Sequence, residues 1–320
     1  MKGFDAEFKN LDQYIRVITD RIWKDRRIDD IGLYYNDPCV VETPSSVSTS
    51  VREVVQDTHA TMAEFPGRHL LTEDVIQSGD DDGGYLSSHR IVSTMTHQVA
   101  NTFGAPSGRG IHVRTIADCV CRNNRVIHEW LVRDEAAIAI CIGIQPRVLA
   151  QTWLNQRGGW NKPQAGPVPD GYRSHLSDAP AALAYASQIE QLAHQKNTGL
   201  HAYDEAVHHI GPGNVTFYGQ REVHGFWQTL FGSLHVTRFD VEHLAYQTGG
   251  GRADRVALRW RAQALHTNSG ASAGRYGSAT GRSVEVMGIN HAELVDAKVV
   301  REWVLIDDVA LWMQVFAVQN

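Results

Sequence analysis

The feature that most constrains this chain is that it repeats itself. Glu129-Trp130 followed by Asp134, in EWLVRD, returns as Glu302-Trp303 followed by Asp307, in EWVLID, at an offset of 173 (302 − 129). Upstream, His69 and Asp74 in HLLTEDV match His235 and Asp240 in HVTRFDV at an offset of 166 (235 − 69). The SGDDDGG turn at 78–84 corresponds to TGGGRAD at 248–254, and a Gly/Ser/Ala-rich loop ending at Gly110 corresponds to a longer one ending at Arg282. The offset grows only where the composition is that of loops, where insertions are tolerated. The match is therefore that of a duplicated domain. At 320 residues, 42% of them apolar, the chain is long enough for two ordinary cores.

Each copy shows the same order of elements. A helical stretch with apolar residues at helical spacing comes first, Leu11 to Trp23 and Ala181 to His194. A second short helical segment ends in Tyr34-Tyr35 or His208-His209, followed by a short strand (Cys39 to Thr43; Val215 to Tyr218) and a further helix (Val51 to Phe65; Arg221 to Phe231). Four strand-like runs close each copy, with tight hairpins at Asn123-Asn124 and Asp296-Ala297 between the last two. Helices followed by a meander predict an α+β fold: two cone-shaped domains, each with N-terminal helices packed in a curved antiparallel sheet that leaves a pocket at its mouth. We expect domains at 1–148 and 176–320, with the Gly- and Pro-rich 149–175 as an extended linker.

Several runs carry a family resemblance: FPGRHL before the second strand, YLSSHR in the third, and above all NNRVIHEWLVRD. The last resembles the final-strand pattern of the SnoaL-like polyketide cyclases of the nuclear transport factor 2 superfamily, over roughly 5–145 and 180–320. The resemblance implies a small, largely apolar carbonyl compound as ligand and a proton-transfer reaction (isomerisation, dehydration or cyclisation). It also marks a departure. The carboxylate that acts as general acid and base in those cyclases follows the Trp of this motif directly, and here that position is Leu131 in one copy and Val304 in the other. A noncatalytic ligand-binding protein, or a structural pseudo-dimer, is the competing reading.

Strand parity, with position 131 taken as pocket-facing by the resemblance, turns Glu129 and Glu302 inward. A carboxylate on an apolar face ionises at a raised pH, which makes a proton-transfer group for neutral conditions; exposure at an edge, or a salt bridge, is the structural alternative. Asp118 and His291 are equivalent under the offset of 173 and could move protons from the penultimate strand. His89 shares a face with Tyr85, and Trp260 is read as its counterpart, so the two pockets would differ. We expect the first copy to be the catalytic one, with Glu129 as base, His89 or Asp118 assisting and Tyr35 orienting the ligand. Tyr85, His69, His291, Glu302 and Trp260 complete the expected ligand contacts.

Other features have plainer explanations. Asp134 and Asp307 each precede a helix-like run, where an aspartate caps exposed backbone N–H groups. Asp80-Asp81-Asp82 lacks the spaced ligands of a calcium loop, and His208-His209 has no further ligand at zinc spacing. Cys39, Cys119, Cys121 and Cys141 offer one C-x-C pair and no second pair, so buried thiols are expected and no metal. No phosphate loop or cofactor fingerprint is present, which predicts chemistry without a cofactor. The net charge of −6 gives no footprint for nucleic acid or an anionic membrane. The N-terminus and the lack of a long apolar run predict a cytoplasmic protein without leader or anchor. The copies are expected to form an internal pseudo-dimer through the faces bearing Trp130 and Trp303, with further homo-oligomerisation open.

Overall fold

The apolar spacing seen in the sequence drives the helices, and the alternation drives the sheets. Leu11, Tyr14, Ile15 and Ile18 fall on one stripe of α1 (Leu11–Thr19), whose first turn is capped by Asn10 accepting from the Gln13 N–H at 2.8 Å. In the second copy Ala182, Tyr185, Ala186 and Ile189 form the same stripe on α6 (Pro180–Ala193). The computed structural model describes residues 1–164, 176–196, 199–267 and 274–317. It divides into two units, 1–145 with 161–174, and 146–160 with 175–320.

The first unit continues through α2 (Ile31–Tyr34), β1 (Tyr35–Glu42), β2 (Val47–Ser48), α3 (Val51–Glu64), β3 (His69–Asp80), β4 (Gly84–Thr96), β5 (Gly110–Arg122), β6 (Arg125–Arg133) and α4 (Glu135–Ile142). After α5 (Pro146–Arg157) and α6, the second runs through β7 (Tyr203–Gly211), β8 (Val215–Tyr218), α7 (Gly219–Gly232), β9 (Leu234–Gln247), β10 (Asp254–His266), β11 (Ser283–Val295), β12 (Lys298–Ile306) and α8 (Asp308–Phe316). Each unit holds one six-stranded sheet, in the orders β2-β1-β6-β5-β4-β3 and β8-β7-β12-β11-β10-β9. Position for position these are one topology, which makes the chain a tandem α+β repeat.

The sheets are antiparallel with one exception each, since β1 runs parallel to β6 and β7 parallel to β12. The β5–β6 and β11–β12 hairpins turn on Asn123-Asn124 and Asp296-Ala297, all four with positive φ, as a two-residue type I′ turn requires. Both sheets bend at the same β-bulge, where Glu73 in β3 and Glu242 in β9 drop out of the ladder. Each bulged glutamate binds the arginine at the equivalent place on the next strand: Glu73 with Arg90 at 3.0 Å, Glu242 with Arg259 at 3.2 Å. The helices cover one sheet face. α1 packs with Ala117, Cys119 and Cys121 in the first core, and α6 with Trp260 and Val304 in the second.

Four expectations are corrected. The run ending in His208-His209 is strand β7, because its alternation of buried and exposed residues (Val207 and His209 in, His208 half-buried) is a two-residue period. The first part of the expected linker, residues 149–157, belongs to helix α5 (Pro146–Arg157), which packs on α8 through a stripe that includes Leu149 and Trp153; residues 165–175 lie outside the described residues. The HLLTEDV/HVTRFDV match is out of register. His69 pairs with Thr94, and the equivalent position opposite Gln263 is Arg238, not His235; Asp74 likewise corresponds to His243. By the same ladders the counterpart of His89 is Leu258, and Trp260 corresponds to Ile91. Gly/Ser-rich loops of unequal length hid the true offset of 169 (258 − 89) on these strands. Asp134 and Asp307 do cap α4 and α8, accepting from Ala137 N–H at 3.0 Å and Val309 N–H at 2.9 Å. Among the described residues no single helix is long and apolar enough to cross a membrane.

Candidate functional site

Directly paired residues on neighbouring strands share a face, so the ladders fix what lies beside what. On β6, Glu129 pairs with Cys119 of β5 and Val41 of β1, and Cys119 pairs with Ser87 of β4. This is the inner, helix-covered face. Glu129 is buried, and the hydroxyl of Tyr35 donates to its Oε2 at 2.8 Å. Burial pushes the Glu129 carboxyl up to about 7, with the Tyr35 hydrogen bond pulling weakly the other way. Cys39, Cys119 and Cys121 stand around it as buried thiols, held well above their ordinary range by burial first and by the neighbouring carboxylate second. They are neutral packing groups, as the C-x-C spacing suggested.

His89 shares this face through the row His89–Ala117–Leu131. With β5 between them, His89 and Glu129 are about 12 Å apart, two strand spacings across the sheet and two residues along it. The His89 Nε2 meets the Thr72 hydroxyl at 3.0 Å, and burial, with Arg16 adding to it, presses the imidazole down to about 3. It is a neutral polar wall.

The remaining expected site residues separate. Asp118 pairs with Trp130, and His291 with Trp303, so both lie on the face opposite Glu129 and Glu302, and their assignment to the pocket is corrected. The error was one of parity: each is one residue from an inward position. His69 is exposed at the start of β3. Tyr85 faces inward but gives its hydroxyl to Asp81 at the hairpin tip, at 2.7 Å, and that bond holds it up at about 12. Leu131 and Val304 both pack with the inner cores.

The second unit carries the same centre with different neighbours. Glu302 pairs with Ala292 on one side and His209 on the other, and is fully buried. Tyr203, at the register position of Tyr35, donates to Oε1 at 2.9 Å; Tyr185 of α6 donates to the same oxygen; His209 Nδ1 lies 2.6 Å from Oε2. The directions follow from chemistry. Trp260 Nε1 can only donate, so the Asn290 atom 3.0 Å away is its carbonyl oxygen. The Asn290 NH₂ therefore faces the Tyr185 oxygen at 2.9 Å and donates to it, leaving the Tyr185 proton for Glu302. Both tyrosines donate to Oε1, so with Glu302 as the carboxylate Oε2 accepts and His209 donates from Nδ1. Tyr185, Tyr203, Asn290 and His209 all escaped the sequence reading; the one signal available was Tyr203, which follows Tyr35 at the offset of 168 that also carries Val41 onto His209. Among the described residues no group of three or more His, Cys, Asp or Glu side chains could hold a metal ion.

Several solved structures are similar to parts of this chain. IdmH from Streptomyces antibioticus is 19% identical with a TM-score of 0.36, covering 41% of this chain and 99% of its own. AclR from Streptomyces galilaeus is 15% identical with a TM-score of 0.37, covering 42% and 87%. TsrD from Streptomyces laurentii is 11% identical with a TM-score of 0.35, covering 41% and 92%. Likenesses this distant say nothing of substrate. No curated protein matches the chain. The family model for SnoaL-like polyketide cyclases matches residues 189–315, from within α6 to the end of α8 short of its last residue. The segment that carries Tyr203, His209 and Glu302 is thus the part of the chain similar to the SnoaL-like polyketide cyclase family.

Proposed function

We propose that this protein binds a small, largely apolar carbonyl compound and moves a proton on it without a cofactor, with Glu129 as the proton-transfer group. The observation that carries this reading is a single buried carboxyl on the helix-covered face, tied to Tyr35 and poised at about 7. Such a group is half-ionised at neutral pH, so it can take a proton from a carbon beside a carbonyl and return it elsewhere on the same molecule. Tyr35 fixes the carboxyl, neutral His89 adds a polar wall, and the buried thiols keep the surroundings apolar without adding charge. Isomerisation, dehydration and ring closure all use this step.

A second reading, ligand binding without chemistry, draws its support from Leu131 and Val304, which stand where the family's acid–base carboxylate is expected. One experiment separates the two. The full chain is incubated in D₂O with 2-tetralone, a flat enolisable ketone, and deuterium uptake is followed by NMR. Uptake that falls roughly 10²- to 10⁴-fold in Glu129→Gln supports proton transfer. Saturable binding of the ketone without uptake favours the binding protein, and uptake equal in wild type and Glu129→Gln removes Glu129 from the chemistry.

A further inference from the structure

We infer that the second unit holds a proton-accepting site of its own, in which His209 takes the hydroxyl proton of a flat, uncharged phenol or enol while Glu302 holds the imidazole. The inference stands apart from the reading of Glu129 and rests on other residues. Because Nδ1 donates to Glu302, the neutral ring presents its lone pair at Nε2. That nitrogen is buried and has no hydrogen-bond partner among the described residues. Folded proteins leave few buried acceptors without a donor, and those that persist call for an explanation. A ligand hydroxyl supplies one.

The surroundings specify the ligand. The His209 ring lies 4.5 Å from the Phe226 ring centre, 5.5 Å from Phe217 and 6.1 Å from Trp227, so the walls are aromatic and favour a flat partner. Arg275, 5.9 Å from the Phe226 ring, is paired with Asp308, which removes the attraction for an anion. Gly211 leaves only a narrow gap before Nε2: a Cβ there would stand 3.2 Å from Nε2, 3.2 Å from Phe226 Cε2 and 3.4 Å from Phe217 Cε2, so a ligand reaches the nitrogen only as Phe217 moves. Its backbone is extended (φ −102°, ψ −177°), a conformation open to any residue, so the missing side chain matters for space rather than for conformation. Phe217 is partly exposed and sits on β8, a four-residue edge strand, where it can swing aside without breaking a central ladder.

In the transfer, the ligand O–H bond breaks and an N–H bond forms at Nε2. The phenolate keeps the electron pair, and the Glu302 carboxylate compensates the imidazolium charge through Nδ1–H, as in other carboxylate–histidine pairs.

The test uses the full chain and 4-nitrophenol, whose anion absorbs visible light, at a pH where the free probe is mostly protonated. The expected result is a saturable rise in phenolate absorbance that His209→Gln weakens by roughly tenfold or more, the scale of one lost charge-assisted hydrogen bond. Gly211→Ala, which fills the space before Nε2 and keeps the histidine, weakens it as well; it decides alone if His209→Gln does not fold. No saturable rise in the wild type, or a rise unchanged in these variants, overturns the inference. A rise that survives them and disappears in Glu129→Gln assigns the probe to the first unit, which overturns this site and leaves the proposed function standing.

Discussion

The Tyr35 hydroxyl reaches Glu129 across 94 residues of chain and donates to it at 2.8 Å inside the first core. Burial and this bond act on the carboxyl in opposite directions, and burial prevails. Tyr35→Phe keeps the ring and removes the donor, so the Glu129 carboxyl is expected to ionise at a pH above about 7. The accompanying loss of stability is about 1 kcal/mol, a typical net hydrogen bond. Carboxyl ¹³C shifts followed against pH in both proteins check the direction; an unmoved or lowered midpoint means that Tyr35 does not govern this group.

The first unit also carries two titrations of opposite sign. Glu129 holds its proton up to about 7 against an ordinary 4.5, so the unfolded chain releases it first. The resulting stabilisation is full below 4.5 and is lost as pH rises to 7, a span of about 3 kcal/mol. His89, held at about 3 against an ordinary 6.5, is neutral in the fold while the unfolded chain takes up a proton. Its contribution is full above 6.5 and is lost as pH falls to 3, about 5 kcal/mol. Between 4.5 and 6.5 the two slopes oppose each other. Glu129→Gln should therefore steepen the loss of stability on acidification, and His89→Asn should reverse its sign. Urea midpoints at these two pH values decide, and equal slopes in the two variants contradict the account.

The repeat, the order of the elements and the paired glutamates were legible because hydrophobic period and the EW–D motif survive duplication. The strand offset was not, since it depends on loops of unequal length; the equivalent bulges at Glu73 and Glu242 leave it unchanged (242 − 73 = 169). His208-His209 looked helical because two adjacent histidines carry no period of their own; only the ladder to β12 shows that His209 points at Glu302. Asp118 and His291 were attractive as ionisable groups on the right strand, but a single step of parity puts them on the wrong face. Long-range partners such as Tyr185 and Asn290, 105 residues apart, have no local signature at all.

That difference of face can be tested. Asp118→Asn and Glu129→Gln exchange similar side chains one cross-strand step apart, yet Asp118 shares its face with Trp130 and Glu129 with Cys119. Deuterium uptake into 2-tetralone should be lost in Glu129→Gln and stay within about twofold of wild type in Asp118→Asn, the spread of sites that do not touch the reacting atoms. Equal losses would return Asp118 to the site.

Helix α5 gives a prediction about where the second unit begins. Leu149, Trp153 and Leu154 are buried on a helix that packs against α8. Burying a large apolar side chain is worth about 1.5–3 kcal/mol, so a fragment of 146–320 should exceed one of 176–320 by about 5 kcal/mol. Chemical denaturation of the two fragments measures this directly, and equal stability means that α5 contributes nothing to that core.

The polar chain of the second core should behave as one unit. Trp260 Nε1 donates to Asn290, Asn290 to Tyr185, and Tyr185 to Glu302, each buried and each oriented by the one before. Trp260→Phe keeps an aromatic ring and removes the first donor, stranding the Asn290 oxygen at a cost of about 2 kcal/mol. It also frees the amide to turn over and offer its oxygen to Tyr185, whose proton is then contested. Groups linked in this way are not additive, so a double-mutant cycle of Trp260→Phe with Asn290→Ala should return a coupling of about 1 kcal/mol. Unfolding free energies of the four proteins measure it. A coupling near zero would show that the direction of the Tyr185 proton is set by Glu302 and Tyr203 alone.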